Sequence, residues 1–154
     1  EIWEDFKNTE FVIYDNDKDT SPESLQPRIA KWAEATRKGN EHMFFATCLN
    51  GETIGFTSMN IVAPSEYEIG YGYTSKSQGH GFAKEALTAI LDGMKEFGVT
   101  KIHAGTALKN TPSVALLKSL GFELTSTEQI SFFKDDAGND IYFEGGNFTK
   151  NLAF

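Results

Sequence analysis

The sequence predicts one mixed α/β (α+β) domain over residues 1–154, with a mostly antiparallel central sheet of about six to seven strands and helices on both faces. Three observations predict it. Segments of strand-like and helix-like apolar periodicity are interleaved along the whole chain. Gly and Asn turn signals separate them, with no internal repeat, linker or low-complexity tract between. Aromatic residues make up 13% of the chain, 13 of them Phe, which supplies large side chains for a β-rich core.

Taken in order, Ile2, Trp3 and Phe6 have helical spacing, so Glu1–Lys7 reads as a helix, though one that starts without a cap, as in a trimmed chain. Phe11–Tyr14 is a short apolar piece, followed by a polar, acidic stretch to Pro22. Ser21-Pro22 signals a helix start, and Leu25, Ile29, Trp32 and Ala33 form its apolar stripe through about Arg37, with Gly39-Asn40 as the stop. His42–Leu49 and Glu52–Asn60 are predicted strands joined by Asn50-Gly51, which suits a two-residue turn needing positive φ twice. Tyr67–Tyr73 is the third antiparallel strand. Ala83, Ala86, Leu87, Ile90, Leu91, Met94 and Phe97 recur at helical spacing over Phe82–Phe97, ended by Gly98. A strand over Lys101–Leu108 and a helix over Thr111–Leu120 follow, the latter with Pro112 in its first turn and Gly121 after its end. Leu124–Phe133 and Asp140–Phe148 complete the sheet around the turn Asp135–Asn139.

Composition removes several function classes. The net charge of −8 argues against nucleic acid, whose phosphates require a basic face, and suits cationic partners such as amines. No apolar run is long enough for a membrane span, and Glu1–Glu10 lacks the basic-then-apolar pattern of a leader. The single Cys48 lies in an alternating apolar run and is expected as a buried small hydrophobe rather than a nucleophile. Three His and one Cys show no metal-ligand spacing, so no metal is expected, and a reduced, cytoplasmic compartment is the default.

Chemistry concentrates in one segment, YEIGYGYTSKSQGHGFAKEAL, from Tyr67 to Leu87. A strand leads into a polar turn, then Gln78-Gly79-His80-Gly81-Phe82-Ala83, then the long amphipathic helix. Amides at a helix N-terminus have no helical acceptor and carry the positive end of the dipole, so an anion gains several hydrogen bonds there. Gly79 and Gly81 let backbone approach a phosphate, Ala83 adds little bulk, and His80 and Lys84 stand at the rim. A dinucleotide-binding loop would need a third Gly where Lys84 stands, and a Walker loop would need Gly-Lys-Ser/Thr. Neither pattern fits.

A second motif runs from Asn110 to Phe122, NTPSVALLKSLGF. Together the two segments resemble the GNAT superfamily of N-acetyltransferases, in its Gln/Arg-x-x-Gly-x-Gly/Ala loop and its N-x-x-S…L-G-F run. IGYGY followed by AKEAL especially resembles the branch that acetylates the N-terminal amines of ribosomal proteins and related small amines. The likeness is good over about Asn50–Phe122 and poor at the ends. It implies acetyl-CoA as co-substrate, its pantetheine paired as a pseudo-strand with Tyr71, Gly72 and Tyr73 where the strand splays from its neighbour at a bulge. It implies a diphosphate held by the segment Gln78, Gly79, His80, Gly81, Phe82, Ala83 and Lys84, an Asn110 contact to the pantetheine arm, and Ser113 near the thioester sulfur. It also implies a strand ahead of the first helix, expected here as missing or trimmed, and a possible homodimer through the C-terminal strands.

The acceptor amine attacks the thioester directly, so the site needs a base, an oxyanion donor near Gly72 or Tyr73 and, optionally, an acid. Many relatives carry an acidic Tyr where this chain has Leu117, which leaves Ser113 as the acid candidate, with helix capping as its alternative role. Glu68 and His103 are the candidate bases, and Glu66 a weaker one; an ordinary sheet histidine or surface carboxylate is the alternative for each. The expected function is acetyl transfer to a primary amine of a peptide N-terminus, polyamine, aminoglycoside or other small molecule. The acidic stretch Asp15–Glu23 is a candidate border for a cationic acceptor, with a solvated loop as its alternative. A non-catalytic coenzyme A-binding sensor or scaffold remains the alternative, separable by thiol release.

Overall fold

The computed structural model describes residues 21–39 and 42–152. The helix expected at Glu1–Lys7, the apolar piece Phe11–Tyr14 and most of the acidic stretch Asp15–Glu23 lie outside the described residues; Glu23 itself falls in the first turn of a helix. The described elements are α1 (Pro22–Lys38), β1 (His42–Leu49), β2 (Glu52–Ala63), β3 (Glu66–Tyr73), α2 (Phe82–Glu96), β4 (Lys101–Ala107), α3 (Thr111–Ser119), β5 (Glu123–Lys134) and β6 (Asp140–Asn151). The strands form one six-stranded sheet in the order β1-β2-β3-β4-β6-β5. Among the described strands only the β3–β4 pair is parallel. The expected mixed, mostly antiparallel sheet is what forms.

Local chemistry sets the boundaries. Ser21 Oγ caps α1 by accepting the Ser24 N–H at 3.3 Å, and Gly39, at φ 64°, ends it with its N–H shared between the Ala35 and Thr36 carbonyls. The β1–β2 turn uses Asn50 at φ 52° and Gly51 at φ 86°, the geometry the dipeptide suggested. Two strands run on past their apolar patterns. β2 continues beyond Asn60 because Ile61 and Ala63 pair with Tyr67 and Glu66, and β6 continues beyond Phe148 because β4 pairs with it out to Lys101–Asn151. A neighbour's ladder extends a strand where periodicity has already faded.

Cross-strand partners share a face, so the register divides the sheet cleanly. On one face, Met59, Ile69, Ile102, Ala104 and Phe148 meet Leu87, Leu91 and Met94 of α2 and Leu117 of α3 in the buried core. On the other, α1 lies along β1: the Trp32 ring stacks on Phe44 at 4.6 Å, and Thr36 Oγ1 accepts the Phe44 N–H at 2.9 Å. Helices therefore cover both faces. Among the described residues no helix is long and apolar enough to cross a membrane.

Cys48 departs from expectation: it is exposed, with its Sγ 3.7 Å from Thr53 Oγ1. β1 stands first in the strand order, and its register with β2 shifts between Thr47 and Cys48, so the alternation that pointed this side chain inward breaks at that residue.

Candidate active site

The site begins with a ladder that stops. β3 and β4 pair at Glu66–Lys101, Tyr67–Ile102 and Glu68–His103, and no further. Both strands continue: β3 stays paired to β2 as far as Tyr73–Gly55, and β4 to β6 as far as Ala107–Gly145. Between Ile69–Tyr73 and Ala104–Ala107 there is consequently a wedge whose facing main-chain groups have no ladder partner. Such an edge is a template for an extended, amide-bearing chain. The β2–β3 register is unbroken beside this wedge; its shift lies at the far end, between Ile61 and Ala63.

The wedge opens into a cleft of about 800 Å³ that reaches both faces of the sheet. At the C-terminal end of β3, Thr74 and Ser77 are buried, and their hydroxyls bond each other at 2.6 Å. The Thr74 N–H and Ser77 Oγ both donate to the Ile54 carbonyl, at 2.9 and 3.2 Å, which ties the loop to β2. Gln78 Nε2 donates to the Tyr73 carbonyl at 3.2 Å, turning its side chain back toward the strand. Gly79 and Gly81 then adopt φ 77° and 83°, and a Cβ on either would meet no heavy atom within 4 Å. Glu85 N–H is the first to close a helical bond, to the Gly81 carbonyl at 3.0 Å. The amides of Phe82, Ala83 and Lys84 precede it and have no helical acceptor. Their positive dipole end and the open space beside the glycines fit a diphosphate. Lys84 lines the cleft; His80 does not, its ring lying 5.6 Å from that of Phe82.

On the α2/α3 side, Asn110 caps α3, its Oδ1 accepting the Ser113 N–H at 3.3 Å. The capping role considered for Ser113 thus falls to Asn110. Ser113 Oγ instead bonds the Tyr71 hydroxyl at 2.8 Å. Burial raises the Tyr71 pKa above its ordinary value, the Ser113 bond opposing more weakly, so the phenol stays protonated. Leu117, one turn further along α3, is fully buried in the core.

The opposite face carries Phe44, Phe56, Ser58, Glu68, Gly70 and Gly72 through the β1–β2–β3 register, all on the cleft wall. Across the wedge, Gly105 pairs with Asn147, and Gly145 with Glu128, bringing the last two strands to the same wall. Asn147 Nδ2 donates to Glu128 Oε1 at 3.0 Å and to Ser126 Oγ at 3.2 Å. Glu68 and Glu128 are therefore carboxylates on one wall. Sequence reasoning had singled out only the first.

His103 shares this face but is absent from the cleft wall. It sits where β3 and β4 are still zipped, with Nε2 2.9 Å from Glu66 Oε2 and Nδ1 3.4 Å from Thr149 Oγ1. Lys101 Nζ bonds the other Glu66 oxygen at 3.1 Å, and the His103 bond, then that of Lys101, hold the Glu66 pKa below the usual carboxylate value.

The Acetyltransferase (GNAT) domain family matches residues 1–123. The chain belongs to this family. It is 36% identical over 75 residues to the uncharacterized N-acetyltransferase p20 of Bacillus licheniformis, the match covering 47% of this chain and 42% of that protein. The chain thus spans less than half the length of the curated relatives it matches. Among solved structures, a ribosomal-protein-alanine N-acetyltransferase from Brucella melitensis shares its fold with a TM-score of 0.76 at 20% identity, covering 97% of this chain and 90% of that one. Mycobacterium smegmatis RimJ, solved in complex with CoA-disulfide, gives 0.71 at 23% identity, covering 84% and 61%. At these identities the likeness is one of fold.

Proposed function

We propose that the chain transfers an acetyl group from acetyl-CoA to a primary amine by direct attack in a ternary complex. One observation carries the reading: the β3–β4 wedge and the unpartnered amides of α2 open into the same cleft, as an acyl thioester on a long phosphorylated arm requires. That Mycobacterium smegmatis RimJ was solved with CoA-disulfide supports the choice of ligand for this fold.

When bound, the thioester supplies an activated acyl group with a thiolate leaving group. In this reading the chain's residues do the rest. Main-chain groups of Tyr71, Gly72 and Tyr73 align the pantetheine along β3, and an N–H near Gly72 or Tyr73 takes the developing oxyanion. The amides from Gly79 to Lys84 hold the diphosphate. Glu68, on the acceptor face, removes the proton from the attacking nitrogen as the N–C bond forms and the C–S bond breaks. Tyr71, kept protonated by burial, donates to Ser113 Oγ, which leaves the serine proton free to stabilise the departing thiolate. Asn110 fixes the start of α3 so that Ser113 meets Tyr71, and in this reading its amide nitrogen is the group that would contact the pantetheine arm. His103, engaged with Glu66 and outside the cleft wall, is given no part.

The test is free-thiol detection with acetyl-CoA and a panel of primary amines. Amine-dependent thiol release, with equimolar acetylated amine, is the expected result. Tight coenzyme A binding with no turnover on any amine would instead identify a sensor or scaffold.

A further inference from the structure

The acceptor side of the cleft has an unusual floor. Gly70 and Gly72 of β3 and, across the wedge, Gly105 of β4 and Gly145 of β6 all present the same sheet face without side chains. At two of these positions the space is already claimed from the side: a Cβ on Gly70 would come within 2.8 Å of Ser58 Oγ, and one on Gly145 would overlap Ile130. At Gly105 the nearest heavy atom would be Asn147 Oδ1 at 3.9 Å, so the floor is open there. One flank is aromatic, with Phe44 and Phe56 at 6.2 Å between ring centroids.

The charge on that wall is small. Among the described residues its carboxylates are Glu68 and Glu128. Glu66, on the same face, is already bonded to Lys101 and His103 and is not on the wall. If Glu68 takes the proton of the attacking amine, the other carboxylate among the described wall residues is Glu128, three strands along the sheet on β5. A polyamine or an aminoglycoside brings several ammonium groups, and an ammonium taken from water without a carboxylate partner is costly.

From this floor, flank and charge we infer that the acceptor is a monoamine attached to a flat apolar group, its ring on the glycine floor beside Phe44 and its nitrogen at Glu68. The inference rests on the transferase reading and narrows it. Two sources share this chemistry, a free arylalkylamine and a peptide whose first residue is aromatic.

The experiment compares kcat/KM at saturating acetyl-CoA for 2-phenylethylamine, a peptide with N-terminal Phe, propylamine, spermidine and kanamycin. One of the two aromatic acceptors is expected to exceed spermidine and kanamycin by at least about tenfold, and which one does so identifies the source. Phe44→Leu should lower the preference for that acceptor over propylamine several-fold while acetyl-CoA affinity holds. Gly105→Ala tests the floor independently of the aromatic flank, and it should raise KM for the aromatic acceptor and leave propylamine little changed. Spermidine or kanamycin matching the aromatic acceptors, or both variants affecting every amine equally, would overturn the inference while leaving the transferase intact. Acetyl-CoA binding with no thiol released by any amine would remove the transferase reading and this inference with it.

Discussion

The two ends of the cleft are built from different materials. The end proposed for the diphosphate is main chain: consecutive residues from Gln78 to Lys84, with two glycines at positive φ ahead of amides that have no helical acceptor. The end proposed for the acceptor is walled by side chains from α1 and, through the register of the sheet, from β1, β2, β3, β5 and β6. A main-chain site is written in one short stretch and tolerates most side-chain changes, except where the backbone conformation excludes a Cβ. A side-chain site depends on which strands become neighbours. Substitutions should therefore separate the two ends sharply.

The largest effect is expected from Gly81→Glu, which forces a side chain into left-handed backbone and places a negative charge at the helix N-terminus. Roughly 300-fold weaker acetyl-CoA binding, ~3 kcal/mol, is expected by calorimetry with the far-ultraviolet spectrum unchanged. Glu128→Gln, at the other end, should leave that affinity alone. Glu68→Gln should cut kcat by about 100-fold, the usual scale of a lost general base, again with acetyl-CoA binding intact. If Glu68→Gln weakened the cofactor instead, the two ends would not be separable.

Ser113→Ala touches the boundary between them. About tenfold loss of kcat is expected with KM for acetyl-CoA unchanged, and the deficit should shrink for an acetyl thioester of a more acidic thiol. Tyr71→Phe should lower kcat only a few-fold, and combining it with Ser113→Ala should add little, because the phenol acts through the serine. It should also change alkaline stability. Burial raises the folded-state pKa of Tyr71 above the ordinary 10.0, so the native state resists ionising a group that the unfolded chain ionises freely. The associated stability is whole below pH 10 and is lost as pH climbs from there through the folded pKa; Tyr71→Phe should flatten that loss in alkaline thermal melts.

Legibility in the sequence follows the same division. The helix ends, the Asn50-Gly51 turn and the glycine loop could be read because each is a local conformational demand carried by adjacent residues. Glu68 could be placed with Gly70 and Gly72 by alternation alone. Glu128 could not: Ser126, Glu128 and Ile130 alternate visibly, but the wall they join depends on β6 inserting between β4 and β5, a crossover with no local signal. His103 shows the converse limit. Alternation assigns its face, yet not that β3 and β4 are still zipped at that point of the strand and open only beyond it. The Tyr71 hydroxyl was legible only as a strand residue, since its bond to Ser113 spans 42 positions and needs α3 laid across the sheet. Cys48 misled because alternation presumes an unbroken register, and the register shifts beside it.

A crystal structure with coenzyme A bound tests the central claim most directly. The account predicts pantetheine amides paired with the main chain of β3 inside the wedge, and diphosphate oxygens within hydrogen-bond distance of the amides between Gly79 and Lys84. A closed β3–β4 ladder with the ligand elsewhere, or a diphosphate bound away from the start of α2, would contradict it.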